Sequence, residues 1–150
     1  MRPAVLALTL LAPAVLALPA CDREPAPHAP AAAPAEPSHR LAGVDLGQPV
    51  KAVGNEPFWS VMLDGTTMTY GGLDRPEQRA PQPAPRIQGT IATFTGQTAS
   101  RKALKVTLIA TECSDGMSDR TYPLVARVEV GDETLTGCAA ANASFTTAPE

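Results

Sequence analysis

The chain has 150 residues and a formal net charge of -3, with 16 Pro, 11 Gly, one Trp, two Tyr and three Phe. That length allows one domain, and this much Pro and Gly suits short strands, turns and a linker better than helices. No Lys/Arg run or basic stripe meets a phosphate backbone, which sets DNA and RNA binding aside.

The first twenty residues give an address. Met1-Arg2 supplies a short positive region, and residues 4–18 are an apolar run, with Pro13 inside it, too short to span a bilayer comfortably. The run ends in Leu18-Pro19-Ala20-Cys21, which resembles the lipobox of bacterial lipoproteins: apolar at -3, small at -1, then the cysteine that takes the lipid. Pro19 departs from the usual residue at -2. Residues 1–20 therefore read as a lipoprotein signal peptide and Cys21 as the lipidated residue, with palmitate-type acylation anchoring the protein to a membrane of the cell envelope and the folded part in the periplasm. The alternative is an ordinary secretory peptide cleaved upstream, with Cys21 free. Three cysteines in an oxidising compartment leave an odd thiol, whereas acylating Cys21 leaves an even pair, Cys113 and Cys138. Asp22 resembles an inner-membrane retention signal of some enteric bacteria, a rule that varies between lineages, so the choice of membrane stays open.

Residues 21–40 are nearly all Pro, Ala and charge, an extended tether. His28 and His39 both sit here. A metal pair is the functional reading, but flexible chain between them imposes no geometry, and solvated tether is preferred.

The β-domain is expected over residues 41–147. Residues 50–53 alternate briefly, Gly54-Asn55-Glu56-Pro57 breaks them, and 58–63 (FWSVML) and 66–70 (TTMTY) read as strands flanking Asp64-Gly65, a hairpin turn with positive φ at both positions. Residues 71–86, with four prolines, read as a long surface loop, a tolerated insertion rather than a flap. A weaker strand covers 87–94, a turn 95–101, and 104–110 alternate as a half-buried strand. Residues 122–130 carry the clearest period of two; Gly131-Asp132 turns them and 134–139 return as the partner strand with Leu135 inward. In the remainder only 144–146 could pair. With no helical period beyond about a turn and about seven short strands, the fold is expected to be all-β, a small antiparallel barrel or barrel-like sandwich, the barrel preferred because closure removes exposed edges.

Residues 113–123, CSDGMSDRTYP, are the densest turn-forming stretch. Strand parity counted from Ile109 and Thr134 puts Cys113 and Cys138 on faces opposite Leu108 and Leu135, so their disulfide belongs outside the core or at the rim. Its ends lie 25 residues apart, which in the chain-entropy model stabilises by about 3.5 kcal/mol. Without a CxxC arrangement a redox role is not expected. Ser114, Asp115, Ser118 and Asp119 can accept backbone N–H groups and Gly116 can take positive φ, so a self-capped turn is the first reading. Recognition through Met117 and Arg120 is the functional alternative; a Ca²⁺ site from Glu112, Asp115 and Asp119 does not match the required spacing.

The expected β-domain holds no histidine and no free cysteine, which removes His-based triads, zinc sites and thiol nucleophiles. Glu56 and Asp119 lie beside organised stretches, but nothing places them across a substrate, and no phosphate loop is present. The chain is read as not an enzyme, with no cofactor and no metal. Trp59 is expected to plug one end of the core beside Phe58, the alternative being an exposed aromatic anchor for a partner. A Trp stacked by Arg120 or Arg127 would resemble the closure of lipocalin-like barrels.

Three stretches, GNEPFW (54–59), CSDGMSDRTYP (113–123) and GCA (137–139), resemble an uncharacterised family of bacterial envelope lipoproteins. The resemblance implies export, a small β-domain, and relatives beside META-like or lysozyme-inhibitor-like modules; it carries no activity over. Trp59, Asp115, Met117, Asp119 and Arg120 are the candidate recognition residues. The expected function is a membrane-anchored, non-catalytic binding or structural module with an envelope protein as partner. One alternative is an inhibitor of an envelope hydrolase such as lysozyme, although the SGSGARY-like stretch of the lysozyme-inhibitor family is missing. The other is a carrier of a small apolar ligand, which needs an unfilled interior.

Overall fold

The computed structural model describes residues 39–146. The expected signal peptide, Cys21, His28 and the tether as far as residue 38 lie outside the described residues. The core begins with Leu41, Val44 and Leu46, set by a short ladder of β1 (Arg40–Leu41) and β2 (Val44–Asp45).

The strands that follow are β3 (Val50–Asn55), β4 (Phe58–Leu63), β5 (Thr67–Gly72), β6 (Arg75–Pro81), β7 (Arg86–Gln88), β8 (Ile91–Gln97) and β9 (Ala103–Ile109). After them come β10 (Cys113–Ser114), β11 (Thr121–Tyr122), β12 (Leu124–Val130) and β13 (Glu133–Ala141), then one helical turn, α1 (Ala143–Thr146). β10 and β11 pair only with each other. The other nine from β3 onward form a single antiparallel sheet in the order β6-β5-β4-β3-β13-β12-β9-β8-β7. Two runs of consecutive hairpins are thus joined where β13 meets β3, with Cys138 opposite Val53 and Ala141 opposite Val50.

Period-two alternation decides the faces. Leu104, Val106 and Leu108 of β9 and Leu124, Ala126 and Val128 of β12 point inward and are fully buried. Lys105, Arg127 and Glu129 point outward, and Glu129 pairs with Lys105 at 3.3 Å and Arg127 at 3.4 Å. Such exposed pairs contribute about 0.2–1 kcal/mol each, so the inward face carries the fold. Tyr70, Phe94, Leu63 and Met68 fill the interior from the other strands, at roughly 1.5–3 kcal/mol per large side chain buried.

The sheet curls into a barrel-like form. Its two ends approach at Gly96 of β8, where a Cβ would sit 2.5 Å from the Pro81 carbonyl oxygen of β6 and 3.1 Å from the Ala80 Cβ. Only glycine lets the edge come this close.

Four expectations are corrected. Residues 71–86 are not a long loop: β6 pairs with β5, Ala80 opposite Met68 and Arg79 opposite Thr69. Pro76 and Pro81 are accommodated because β6 is an edge strand, where one side of the backbone needs no ladder partner. With β6 and β7 the main sheet has nine strands where about seven were expected. In the β4–β5 hairpin only Gly65 takes positive φ, at 96°; Asp64 precedes the turn, where its Oδ1 accepts from the N–H groups of Thr66 (2.8 Å) and Thr67 (2.7 Å). Finally, residues 144–146 lie in α1 rather than a strand, because Phe145 docks on an apolar patch of the outer face.

Candidate functional site

The chain leaves β9 at Ile109 and reaches β12 only at Leu124, and the intervening segment is pinned back onto the outer face of the sheet. Two attachments hold it. Cys113 is disulfide-bonded to Cys138 of β13, with the Cα atoms 5.5 Å apart, and Asn55 Nδ2 at the end of β3 donates to the Asp115 carbonyl oxygen at 2.8 Å. As strand parity requires, Cys138 faces away from the main core, yet it is 1% exposed. Tyr122, Ala140 and Phe145 cover it in a satellite cluster. The Phe145 ring stacks on Tyr122 at 5.4 Å between centroids and carries Lys51 Nζ 5.5 Å above it.

Between these attachments one carboxylate organises the turn. Asp115 Oδ1 accepts from the N–H groups of Ser118 (2.8 Å) and Met117 (3.0 Å), and Oδ2 accepts from Ser118 Oγ (2.8 Å) and the Tyr122 hydroxyl (3.1 Å). Hydrogen bonds to the ionised form favour it, and the two backbone donors, Ser118 first, bring the carboxyl down to about 2. Gly116 supplies the positive φ, 69°, that lets both amides turn inward. This is the self-capped turn read from the sequence. Met117 stands outside it, 69% exposed. Asp119 is exposed, and Arg120 Nη1 donates to the Ser144 carbonyl oxygen at 3.1 Å, tying the loop to α1. Among the described residues no group of three or more His, Cys, Asp or Glu is placed to hold a metal ion. His39 and Glu56 are exposed.

Trp59 does not join this surface. It is 4% exposed on the inward face, so it cannot serve as a surface anchor. Its indole lies across two glycines: a Cβ on Gly54 would fall 2.1 Å from Trp59 Nε1, and one on Gly137 would fall 2.9 Å from Trp59 Cζ2. Phe58, expected beside it in the core, points the other way at 51% exposure. Nor does Arg127 stack on the indole, because it lies on the opposite face of the sheet and pairs with Glu129. The three motif stretches nonetheless converge: Trp59 rests on Gly54 and Gly137, Asn55 holds Asp115, and Cys138 holds Cys113.

A second feature, unforeseen in the sequence, lies at one mouth of the curled sheet. A cleft of about 600 Å³ is lined by residues that include Phe58, Tyr70, Arg75, Gln78, Lys102 and Glu133. Arg75 Nη1 donates to the Tyr70 hydroxyl at 2.9 Å and is ion-paired with Glu133. That pair raises the guanidinium's pKa further and lowers the Glu133 carboxyl. Gln78 lies opposite Tyr70 in the β5–β6 ladder, and its Oε1 is buried without a hydrogen-bond partner. An unpaired buried acceptor costs about 1–3 kcal/mol, which singles this position out. The only sequence signal was Gln78 two residues before the inward Ala80, and it becomes readable once β6 is known to be a strand.

Comparison of the chain with protein-family models, with curated proteins and with solved structures finds no match.

Proposed function

We propose that this is an exported lipoprotein, held at a membrane of the cell envelope through acylated Cys21, whose β-domain works by binding an envelope protein rather than by catalysis. The docking face is the loop from Ser114 to Arg120. One observation carries the reading: the turn is fixed by four hydrogen bonds to the Asp115 carboxylate, and it presents a large apolar side chain, Met117, to solvent. A loop already ordered loses little conformational entropy on docking, and an exposed Met adapts to an apolar pocket.

The Pro/Ala-rich stretch before residue 41 gives the domain reach from the anchor. The lipid, the tether and the paired cysteines are mutually consistent, since Cys113–Cys138 leaves Cys21 as the one thiol for acylation. The interior packed with Tyr70, Phe94 and Met68 weighs against a carrier of apolar ligands.

The test is capture of envelope proteins by the full mature protein, compared with Met117→Ala and Arg120→Ala. A partner lost with Met117→Ala, while near-UV circular dichroism stays that of the wild type, supports the docking face; a partner captured equally by both variants contradicts it. The hydrolase-inhibitor reading uses the same fixed loop, inserted into an enzyme cleft. It requires inhibition of purified lysozyme that falls with Met117→Ala.

A further inference from the structure

The mouth cleft is built from residues that the docking loop does not use. We propose that it is a binding site for a neutral, hydroxyl-rich ligand with one apolar face, the chemistry of a pyranose sugar, packed against Phe58 and hydrogen-bonded to Gln78. The inference stands apart from the lipid anchor and from the loop.

Hydrogen-bonding capacity comes first. Gln78 lines the cleft, and its Oε1 is turned into the wall without a partner, so rotation of the half-buried amide toward the cleft brings an unsatisfied acceptor to a donor there. Opposite it in the ladder stands Tyr70, whose hydroxyl oxygen accepts from Arg75 Nη1 and so keeps its own proton free to be given. Cross-strand neighbours hold their Cβ atoms about 4.5–5.5 Å apart, so the two side chains border the same cleft. A hydroxyl is both donor and acceptor, and a ring bearing adjacent hydroxyls answers the two groups together.

Charge narrows the class. The lining holds two cations, Arg75 and Lys102, and two carboxylates, Asp74 and Glu133, so the formal charges cancel, and Arg75 is already paired with Glu133. An anion or cation entering here meets no net counter-charge. A neutral ligand meets no penalty.

Shape and apolar surface complete the case. Phe58, 51% exposed, and Leu73, 81% exposed, stand in the same cleft, and among the described residues they belong to only four large hydrophobics left open to solvent. A purely apolar ligand would cover them but leave Gln78 Oε1 unpaired. A sugar ring offers its C–H face to the aromatic side chain and its hydroxyls to the polar wall. The cleft's size lies within the range of sites that enclose small ligands.

The test is a ¹⁵N NMR titration of the full mature protein in a non-glycosidic detergent, with glucose, N-acetylglucosamine and maltose as sugar probes, and inorganic phosphate and hexanol as the charged and apolar ones. At least one sugar is expected to give saturable shifts in the amides of Phe58 and Leu73 and in the Gln78 side-chain amide. Gln78→Leu and Phe58→Ala, each retaining a dispersed spectrum, are expected to weaken that binding at least about tenfold. Absence of shifts with every sugar, sugar shifts that survive both variants, or saturable binding of phosphate or hexanol at these residues in place of sugar would overturn the proposal. Capture of a partner through the loop is expected to be unchanged in both cleft variants, so failure of one site is separable from failure of the other.

Discussion

Trp59 and Gly54 face one another across the β3–β4 ladder, and the indole occupies the space a side chain at position 54 would need, with Nε1 2.1 Å from the place of a Cβ. The three nearest atoms to that Cβ all belong to Trp59. Gly54→Ala is therefore expected to lower stability by about 1–3 kcal/mol through overpacking, despite the entropy that Ala removes from the unfolded chain. In a Trp59→Leu background the same substitution should cost much less. Urea denaturation of the four proteins of this cycle measures the coupling, and additive costs would contradict the contact.

The disulfide holds the central loop to the outer face of β13. Cys113→Ser/Cys138→Ser is expected to lower stability by about 3.5 kcal/mol, the loop-closure contribution for a separation of 25 residues. Amide exchange should quicken in residues 113–122 through local opening of a ladder that pairs only with itself, and in β9 and β12 by the factor that the lost global stability sets. Unchanged exchange in residues 113–122 would contradict attachment of the loop by the bridge.

Acid should loosen the loop through Asp115. Its carboxyl is held at about 2 against an ordinary 3.8 by the N–H groups of Ser118 and Met117 and by Ser118 Oγ, with a smaller contribution from the Tyr122 hydroxyl. A pKa depressed on folding adds stability that is fully present above the ordinary value and is lost as pH falls through the folded one. The wild type should accordingly lose stability from about pH 4 down to about pH 2, and Asp115→Asn should lose less over that window. Asp64 and Glu133 are also lowered and act in the same direction, so the difference between the two proteins is the quantity to measure. ¹³C NMR titration of the Asp115 carboxyl gives the midpoint directly; a midpoint near 4 would contradict the hydrogen-bonded turn.

The two ends of the sheet approach at Gly96, against the Pro81 carbonyl oxygen and Met68 Cε at 2.5 and 2.7 Å from a built Cβ. Gly96→Val is expected to push β6 away from β8 and to cost about 1–3 kcal/mol. Loss of the nuclear Overhauser contacts between Ala80 and residue 96 checks it. A variant as stable as the wild type with those contacts intact would show that the approach is looser than described.

The sheet was legible where alternation was clean. Leu104, Val106 and Leu108, then Leu124, Ala126 and Val128, mark β9 and β12 by period alone, and the same counting put Cys138 on the outer face. β6 was hidden because proline carries two meanings, loop or edge strand, and the sequence of residues 71–86 does not say which edge is near. The turn at Asp64 was misread because an Asp before a Gly can cap a turn as well as occupy it. Nothing local links Trp59 to Gly137 or Phe58 to Glu133. Those relations arise only when the sheet curls and β13 inserts beside β3, so the candidate cleft could not be assembled from neighbouring residues.

The account of function depends most on the state of the three cysteines. Intact-mass and peptide mass spectrometry under non-reducing conditions, on protein purified from the membranes of an expressing bacterium, tests it directly. A chain beginning at Cys21 and carrying acyl groups there, with Cys113 linked to Cys138, is the predicted result. A chain cleaved elsewhere with Cys21 as an unmodified thiol or in a disulfide would contradict it.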